Sequence, residues 1–455
     1  RFTAPAGGLD LGWDSRGSGV DRFGLGAGWS WGLDMVDPVG GVHVVTTSGG
    51  RHAADATTPS GLAGRGMEDL AFEQRAGTLP SRAERGPGTP EDVGFAFVLH
   101  ALGGTETYFS PDGDPVARVD RHGARIDWVW HPTVKHRLVG VVDPEGIVTR
   151  IDWASDPGAV LVRPGDNLSP ASPEGRLLRV WRVTLDGGRV GAVTDAAGGR
   201  VSYGYARSGL VSTISGPGGG TTRMTWHAHA DAVPRVSAVT TVASSGERLS
   251  HREWQPGPDG ALDSGWPVHD GERATSGTSG PGASRPGAAY STSISDGATR
   301  VESTYTNRHL LVGRRLVVTS SSGEHVLHEQ TLDYPTADDG SPDPAAAPGT
   351  WARPTASTTT LRDLDGQQRV TAESFRFDVR GRLVERTTAD GTTAATEYDE
   401  LTPDGGRLPI GLPIVETVTA PDGHRRLTRH TLDHDRAAVV ATEVLEGGQG
   451  AELAV

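Results

Sequence analysis

The sequence has no cysteine among its 455 residues, and Lys135 is its single lysine, so its positive charge is almost entirely arginine. The absence of cysteine excludes a disulfide framework and thiol chemistry. No run approaches the ~20 consecutive apolar residues of a membrane-spanning helix, so we predict no membrane span. The formal net charge of −14 argues against nucleic acid as a partner, because phosphates select basic surfaces.

Helix signals are also missing from the sequence. No stretch of about a dozen residues places apolar residues at i, i+3, i+4 and i+7 between capping residues. Glycine and proline are abundant, with 64 and 30 residues, while 35% of the chain is still hydrophobic. This composition predicts many short strands joined by tight turns. Segments that alternate apolar and polar residues, or are rich in β-branched residues, lie at 42–45, 125–130, 148–153, 200–205 and 311–318.

One segment, Phe377 to Asp399, reads FDVRGRLVERTTADGTTAATEYD and contains a complete repeat unit. It opens on an aromatic residue followed by an acid, turns twice through glycine, and closes on a second aromatic–acid pair. A fixed period of this size indicates an array of one small structural unit. The residues of this repeat signature are Phe377, Asp378, Gly381, Arg382, Leu383, Gly391, Tyr398 and Asp399.

Fainter copies of the unit recur through the chain. Each consists of a strand, a turn of the form Asp-x-x-Gly and a strand that ends in an aromatic residue; these closing residues include Trp130, Trp153, Tyr203, Tyr205 and Trp226. Such a hairpin cannot bury its own apolar face, so neighbouring units must join edge to edge into a continuous sheet. We therefore predict an all-β fold of repeated antiparallel β-hairpins. The alternative is a set of unrelated hairpins in a β-sandwich.

Changes in composition divide the chain into four parts. We predict a Gly/Trp-rich β segment at 1–100, degenerate repeats at 101–334 with a loop at 255–289, a linker at 335–350, and further repeats at 351–455. Two more long loops are expected at 76–92 and 155–175. The sequence starts at Arg1 and ends at Val455 without an evident signal peptide, and we expect it to be a piece of a longer protein.

The repeat at 377–399 resembles a YD repeat of the Rhs family. The segment Phe23–Gly32 (FGLGAGWSWG) is similar to the glycine- and tryptophan-rich region near the start of such proteins. The family includes bacterial Rhs polymorphic toxins, the shell components of insecticidal toxin complexes, and teneurins. The resemblance implies a long β-sheet that spirals around a hollow cocoon, which in the bacterial members holds a C-terminal toxin until delivery.

The resemblance also implies partners and a location. We expect this chain to be the N-terminal part of a shell, since neither the family's self-cleaving core nor a toxin domain is recognisable in it. Its partners would then be the remaining shell, the enclosed C-terminal toxin and a delivery apparatus. Its location would be secreted or at the surface of a bacterial cell. We expect no catalytic residues, cofactor or metal in the chain.

Several short motifs invite other functions. Gly28-Trp29-Ser30-Trp31-Gly32 matches the G-x-S-x-G nucleophile elbow, but no helix is predicted after it, so a structural turn is favoured. His227 and His229, with Asp231 nearby, have the spacing of two metal ligands on a strand, without an evident third. The acidic turns at 112–114, 338–340 and 363–366 lack the spacing of a calcium loop and are typical of hairpin turns.

Three further alternatives remain open. Asp433, Asp435 and Glu443 could pair as glycosidase carboxylates. A hydrolase built on a β-propeller would need convergent acids or a Ser-His pair in one pocket and a roughly doubled period, which the sequence does not show. An adhesion or carbohydrate-binding repeat protein would need coplanar exposed rings, for which the candidates are Trp181, Trp254 and Trp266. Asn167-Leu168-Ser169 matches a glycosylation sequon.

Overall fold

The computed structural model describes residues 2–3, 9–14, 21–39, 42–47, 50–54, 60–62, 69–80, 92–153, 158–163, 180–227, 235–256, 289–306, 310–335, 350, 353–399, 411–433 and 438–447. Within these ranges every regular element is a β-strand, which confirms the all-β prediction. None of the described residues forms a helix that is long and apolar enough to cross a membrane.

Two small sheets come first in the chain, and each has three strands in sequence order. The first consists of β1 (Phe2–Thr3), β2 (Asp10–Trp13) and β3 (Trp29–Ser30). The second consists of β4 (Met35–Val39), β5 (Val42–Thr47) and β6 (Gly50–Ala54).

All later strands belong to one sheet, called here the long sheet, in which each strand pairs antiparallel with the next strand in the chain. Its first half consists of β7 (Ser60–Gly61), β8 (Leu70–Pro80), β9 (Asp92–Ala101), β10 (Thr105–Phe109), β11 (Pro115–Val119), β12 (Arg125–Trp130), β13 (Leu138–Val142), β14 (Val148–Asp152), β15 (Ala159–Arg163), β16 (Trp181–Asp186), β17 (Arg189–Thr194), β18 (Arg200–Tyr205), β19 (Val211–Ser215) and β20 (Thr221–His227).

Its second half continues in the same way to the last strand. The strands are β21 (Arg235–Val242), β22 (Arg248–Pro256), β23 (Ala289–Asp296), β24 (Thr299–Thr306), β25 (Leu311–Ser320), β26 (Gly323–Asp333), β27 (Ala356–Arg362), β28 (Gln368–Phe377), β29 (Leu383–Thr387), β30 (Thr393–Tyr398), β31 (Pro413–Thr419), β32 (Arg425–Asp433) and β33 (Ala438–Gly447).

One turn geometry joins many of these strands. In the turn at Asp378, the Asp378 N–H donates to the Arg382 carbonyl, and the Gly381 N–H donates to the Asp378 carbonyl. Gly381 has a φ of +75°, which favours glycine. The Asp378 Oδ1 accepts the N–H groups of Arg380 and Arg382 at 2.9 Å each. The predicted Asp-x-x-Gly turn therefore has a physical basis, and it recurs at Asp120, Asp195 and Asp363.

The predicted strand segments coincide with observed strands, except that Trp153 of the segment 148–153 follows the end of β14. Two predicted loops are wider than the observed connections. The loop at 76–92 starts inside β8, and the loop at 155–175 includes β15. A Cβ added at Gly77 would lie 2.6 Å from Cζ of Phe95. Glycine at position 77 therefore allows Phe95 of β9 to pack closely against β8, and its presence there does not indicate a turn.

The N-terminal sheets and the segment that joins them form a second layer over the first half of the long sheet. Val36 and Val45 pack with Phe72, Phe97 and other residues of β8–β10. A larger cluster joins Leu25, Trp29 and neighbouring residues to the valines of β13–β17. This second layer explains why almost all fully buried apolar side chains precede Leu210 and Val211.

The second half of the long sheet is different. Among its described residues, Val317 and Leu427 are the buried apolar side chains, at 3% and 6% exposure. Large side chains such as Val370, Val418 and Val440 are 54%, 41% and 57% exposed. From β21 onward, the described part of the sheet is therefore a single layer with both faces largely accessible.

The long sheet also returns on itself. A Cβ added at Gly411, before β31, would lie 3.6 Å from Cδ1 of Leu102 in the β9–β10 turn. A flat sheet would hold β10 and β31 roughly 100 Å apart, because strands are spaced by about 4.8 Å. Successive connections of an antiparallel sheet lie at alternate ends of its strands. The β9–β10 and β30–β31 connections therefore lie at opposite ends, and this contact brings the two ends of the sheet together. That geometry is consistent with the predicted spiral.

Candidate functional site: the aromatic latches and the strap across them

The closing aromatic residues make a repeated hydrogen bond, called here the latch. In five units the indole N–H of a tryptophan or the hydroxyl of a tyrosine donates to the backbone carbonyl of the residue 15 positions earlier. The distances are 2.6 Å for Trp130 to Pro115, 2.7 Å for Trp153 to Leu138, 2.8 Å for Trp226 to Val211 and 3.0 Å for Tyr398 to Leu383. The hydroxyl of Tyr205 makes the same bond to the Val190 carbonyl.

A β-bulge directly precedes four of the five latch residues. The register shifts directly before Trp130, Tyr205, Trp226 and Tyr398, and also before Phe377. A bulge interrupts the ladder and re-aims the side chain beside it. Backbone groups left outside the ladder need other partners, and the latch supplies such a partner.

The bulges connect successive units. Trp130 pairs across its bulge with Leu138, and the carbonyl of Leu138 accepts the hydrogen bond from Trp153 of the next unit. Phe377, Leu383 and Tyr398 repeat this arrangement. Each unit therefore creates the acceptor that the next aromatic residue uses.

An arginine accompanies three of the latches. It lies directly before the residue whose carbonyl accepts the hydrogen bond, and its guanidinium covers the aromatic ring. The distances from guanidinium carbon to ring centroid are 5.1 Å for Arg137 and Trp153, 5.0 Å for Arg189 and Tyr205, and 4.5 Å for Arg382 and Tyr398. Such cation–π contacts contribute roughly 0.5–2 kcal/mol.

The structure places most of the repeat signature in one cluster around this contact. Arg382 donates from Nε to Asp378 Oδ2 at 2.6 Å, so the turn acid fixes the guanidinium that covers Tyr398. Leu383 supplies the latch carbonyl and pairs with Phe377. Burial raises the pKa of Tyr398, and Arg382 acts in the opposite direction.

The remaining signature residues lie at the ends of β30. Gly391, with a φ of +86°, belongs to the turn before it. Asp390 caps this turn by accepting the N–H of Thr392 at 3.0 Å. Asp399, which is 8% exposed, follows Tyr398, and its N–H donates to the Leu412 carbonyl at 2.8 Å.

All latch rings project from one face of the long sheet, called here the latch face. The cross-strand register carries this face from Tyr203 through Ile294 and Leu316 to Phe375 and Tyr398. Over the first half of the sheet, the second layer described above covers this face.

The segment 21–36, called here the strap, crosses several latches in turn. Phe23 stacks on Trp130 with centroids 6.4 Å apart. The Val190 N–H donates to the Leu25 carbonyl at 3.0 Å. Trp29 donates from Nε1 to the Tyr205 hydroxyl at 2.8 Å, and its ring meets Tyr203 edge-on at 4.9 Å. The strap therefore contacts the latch face through a series of aromatic side chains.

Glycine allows the strap backbone to pass close over these side chains. A Cβ added at Gly26 would lie 2.3 Å from Cβ of Arg189, the arginine of the Tyr205 latch. A Cβ added at Gly28 would lie 2.7 Å from Nε1 of Trp13. The Gly-x-Gly-x-Gly spacing at 24–28 thus reflects close approach as well as positive φ.

Charged residues join the N-terminal end of the strap to the residue that follows its C-terminal end. Arg22 forms ion pairs with Asp37 and, at 3.7 Å, with Asp114. Asp114 also accepts a hydrogen bond from His136 Nδ1 at 2.7 Å. Burial raises the pKa of the Asp114 carboxyl, while His136 and Arg22 act in the opposite direction. Asp114 lies directly before the latch carbonyl of Pro115, at the position that arginine takes in three other units, and it pairs with Arg22 of the strap.

Sequence reasoning missed the strap contacts, although the glycine spacing at 24–28 was visible. It read Gly28–Gly32 as a structural turn in preference to an elbow. Trp29 and Trp31 are indeed buried, at 4% and 2% exposure, and Ser30 Oγ accepts the Gly32 N–H at 3.4 Å. Trp29 and Ser30 form β3.

The other candidate sites are not assembled among the described residues. His227 ends β20, whereas His229 and Asp231 lie outside the described ranges, as do 338–340, Asp435, Trp266 and the sequon at Asn167. No group of three potential metal-binding side chains occurs in the described part. Asp363 instead accepts the N–H groups of Asp365 and Gln367 in its own turn. Asp433 ends β32 and Glu443 lies on β33, where it pairs with Arg429 at 4.0 Å.

The proposed sugar-binding tryptophans are only partly described. Trp181 is partly buried against the core of the covered half, and Trp254 lies on β22. The latch tryptophans Trp153 and Trp226 are half-buried and hydrogen-bonded to backbone. They do not form the exposed platform that carbohydrate stacking requires.

No protein-family profile and no curated protein sequence matches the chain. Among solved structures it is similar to TcdB2-TccC3-TEV, with 12% identity, a TM-score of 0.27, and coverage of 89% of this chain and 22% of that one. TcdB2-TccC3 without its hypervariable C-terminal region gives 12% identity and a TM-score of 0.26, over 86% and 22% of the two chains. A porin-like protein from Bacteroides uniformis gives 9% identity and a TM-score of 0.19, over 67% and 95%. The chain thus spans about a fifth of the TcdB2-TccC3 chains.

We predict that Gly26→Ala detaches the strap from the Tyr205 latch. Gly103→Ala is the matched control, because both glycines have a φ of +94° but nothing lies within 4 Å of a Cβ at Gly103. Both variants carry the backbone cost of about 1–2 kcal/mol; only Gly26→Ala also collides with Arg189. Hydrogen exchange should show loss of protection in β17 and β18 for Gly26→Ala alone. Equal effects of the two variants would contradict the close-approach argument.

We predict that Tyr205→Phe destabilises its unit more than Tyr398→Phe does. Both variants lose one latch hydrogen bond, worth about 0.5–1.5 kcal/mol. Tyr205→Phe also leaves the buried Trp29 Nε1 without its acceptor, which costs about 1–3 kcal/mol more. Local unfolding free energies from native-state hydrogen exchange at β17–β18 and β29–β30 measure the two costs separately. A Tyr398→Phe cost as large as that of Tyr205→Phe would contradict the assignment.

Proposed function

We propose that this chain is part of the wall of an encapsulating shell of the Rhs/YD-repeat type. The observation that carries the proposal is the single-layer second half of the long sheet, which returns on itself between Leu102 and Gly411. A compact β-sandwich buries one face of each sheet against another. A one-layer sheet that curls edge to edge instead surrounds a space.

The contact between Leu102 and Gly411 is also consistent with a closed wall. Leu102 and Gly411 lie in connections at opposite ends of the strands, so their contact brings one margin of the long sheet against the other. A spiral lets each turn of the sheet cover the edge of the turn before it. A closed wall of this kind separates its contents from the surroundings without recognising their sequence.

Ion pairs stabilise the single layer on the face opposite the latches. Glu302, Arg315 and Glu329 are direct neighbours on β24, β25 and β26. Arg300 joins Glu302 at 2.9 Å, and Arg362 on β27 joins Glu329 at 3.0 Å. Each exposed pair contributes at most about 1 kcal/mol, but the ladder links four strands behind which the described residues form no hydrophobic core cluster.

The proposal extends to the whole protein. We infer that its partners are the remaining shell, an enclosed C-terminal toxin and a delivery apparatus, and that the protein is secreted or displayed by a bacterium. In this proposal the chain itself carries no catalytic site, since Ser30 and the acidic turns have structural partners.

Electron microscopy of the full-length protein that contains this chain tests the proposal. We expect a hollow particle with internal density, in which this segment forms one end of the wall. A control with the region after the shell deleted should show the same wall and an empty interior. A solid or elongated particle without a cavity would reject the shell and favour a surface adhesion protein.

A further inference from the structure

His100 on β9 is a buried histidine whose two ring nitrogens both face carboxylates. Its side chain is 4% exposed. Its Nε2 makes a hydrogen bond of 3.0 Å with Oε2 of Glu73 on β8. Its Nδ1 lies 3.2 Å from Oε1 of Glu106 on β10, an ion-pair contact that is not aligned as a hydrogen bond. The imidazole is therefore held between two acidic side chains from the two neighbouring strands.

Other polar groups surround these two carboxylates. The Tyr108 hydroxyl donates to Oε2 of Glu106, so this carboxylate has a second polar contact within the sheet. Nη1 of Arg75 lies 3.3 Å from the same Glu73 oxygen that His100 contacts, and its guanidinium covers the ring of Phe95. Further along this face, the charged residues of β12, Arg125 and Asp127, pair with each other at 2.6 Å.

The contacts of His100 favour a ring that carries a proton on both nitrogens. A neutral imidazole has one N–H, so its other nitrogen would present a lone pair to a carboxylate oxygen. In a buried site this approach of two acceptors is repulsive, and water does not screen it. An imidazolium instead directs an N–H to each carboxylate, and one positive charge then lies between two negative charges.

His430 on β32 is a useful comparison, because its ring also makes two polar contacts. Its Nε2 lies 3.0 Å from Oε2 of Glu416, and its Nδ1 lies 3.1 Å from Oγ1 of Thr442. A threonine hydroxyl can donate a hydrogen bond as well as accept one. A neutral imidazole therefore satisfies both contacts of His430, and this residue provides a matched control for His100.

The group of Glu73, His100 and Glu106 lies beside the turn through which the long sheet returns on itself. His100 and Glu106 are direct neighbours across β9 and β10, on either side of the turn that contains Leu102. Leu102 lies beside Gly411, and its N–H donates to the Asp69 carbonyl at 2.8 Å. The three strands that the group connects are thus the strands that position Leu102.

We propose that Glu73, His100 and Glu106 form a proton-dependent clamp on the β9–β10 turn, with an imidazolium at His100 between the two carboxylates. Loss of the proton leaves two carboxylates beside a neutral ring and weakens the attachment of β9 to β8 and β10. The clamp therefore makes the contact between Leu102 and Gly411 sensitive to pH.

The direction of this effect follows from proton linkage. In a solvent-exposed segment a histidine loses its proton near about pH 6.5. Above that pH the closed clamp retains a proton that the open segment releases, so its stability falls as the pH rises. The clamp is thus strongest in mildly acidic solution and weakens in alkaline solution. This inference rests on the contacts of His100 and not on encapsulation, so it stands if the shell proposal fails.

Nuclear magnetic resonance of the full 455-residue chain, labelled with carbon-13 at histidine, tests the protonation state of the ring. The His100 signal is identified by its loss in His100→Gln. We expect its ring-carbon shifts at about pH 7.5, one unit above the range in which exposed histidines titrate, to be those of an imidazolium. The ring-carbon shifts of a neutral imidazole at that pH would overturn the proposal.

Native-state hydrogen exchange, corrected for the intrinsic exchange rate, tests the clamp itself. The opening constant of the β9–β10 turn should rise by up to ~10-fold per pH unit above about pH 6.5, which is the slope for release of one proton. Glu106→Gln should abolish this slope, because an amide can donate to the unprotonated Nδ1 of His100. His430→Gln should leave the slope at the β9–β10 turn unchanged.

Two results of the exchange experiment would also overturn the inference. The first is an opening constant of the β9–β10 turn that does not change with pH in the unmodified chain. The second is an unchanged slope in Glu106→Gln, which would place the titrating group elsewhere. Glu106→Gln keeps the buried imidazole, so the comparison remains decisive even where His100→Gln does not fold.

Discussion

The hydrogen bond from each closing aromatic ring to the carbonyl fifteen residues earlier is the constraint on which the rest of the structure depends. The bulge before the ring makes this hydrogen bond possible, because it interrupts the ladder and changes the direction of the side chain. Leu138 and Leu383 show the consequence, since each pairs with one aromatic residue and accepts from the next. A long sheet can thus be held in register by local bonds, without a core behind every strand.

The two halves of the long sheet show what a second layer adds to this plan. The same bulge and latch occur at Tyr205 and at Tyr398, but only the first is covered by the strap. Beneath the strap, side chains such as Val190 and Val193 are almost completely buried. Beyond it, strands are held by backbone pairing, latches and ion pairs such as Arg362–Glu329. The described part of the second half is therefore a single layer of sheet, with both faces partly accessible.

Local features of this fold could be predicted from the sequence, and non-local features could not. The Asp378 turn was predictable because its hydrogen bonds join residues within four positions. The closing aromatics were visible as a period, but the latch depends on a register shift that no spacing reveals. The strap was missed because Gly24 and Gly26 look like turn residues in the sequence, whereas in the structure Gly24 lies against Trp153 and Gly26 against Arg189. Gly77 lies in the segment predicted as a loop at 76–92, whereas in the structure it belongs to β8 and packs against Phe95 of β9.

The most direct test of the account is a crosslink across the point where the sheet returns on itself. The chain has no cysteine, so Leu102→Cys with Leu412→Cys provides a unique pair beside the Leu102–Gly411 contact. The account predicts efficient crosslinking by a short bismaleimide. The control pair, Leu102→Cys with Ser245→Cys in the β21–β22 turn, should not crosslink within one molecule. Failure of the first pair to exceed the control would contradict a sheet that closes on itself.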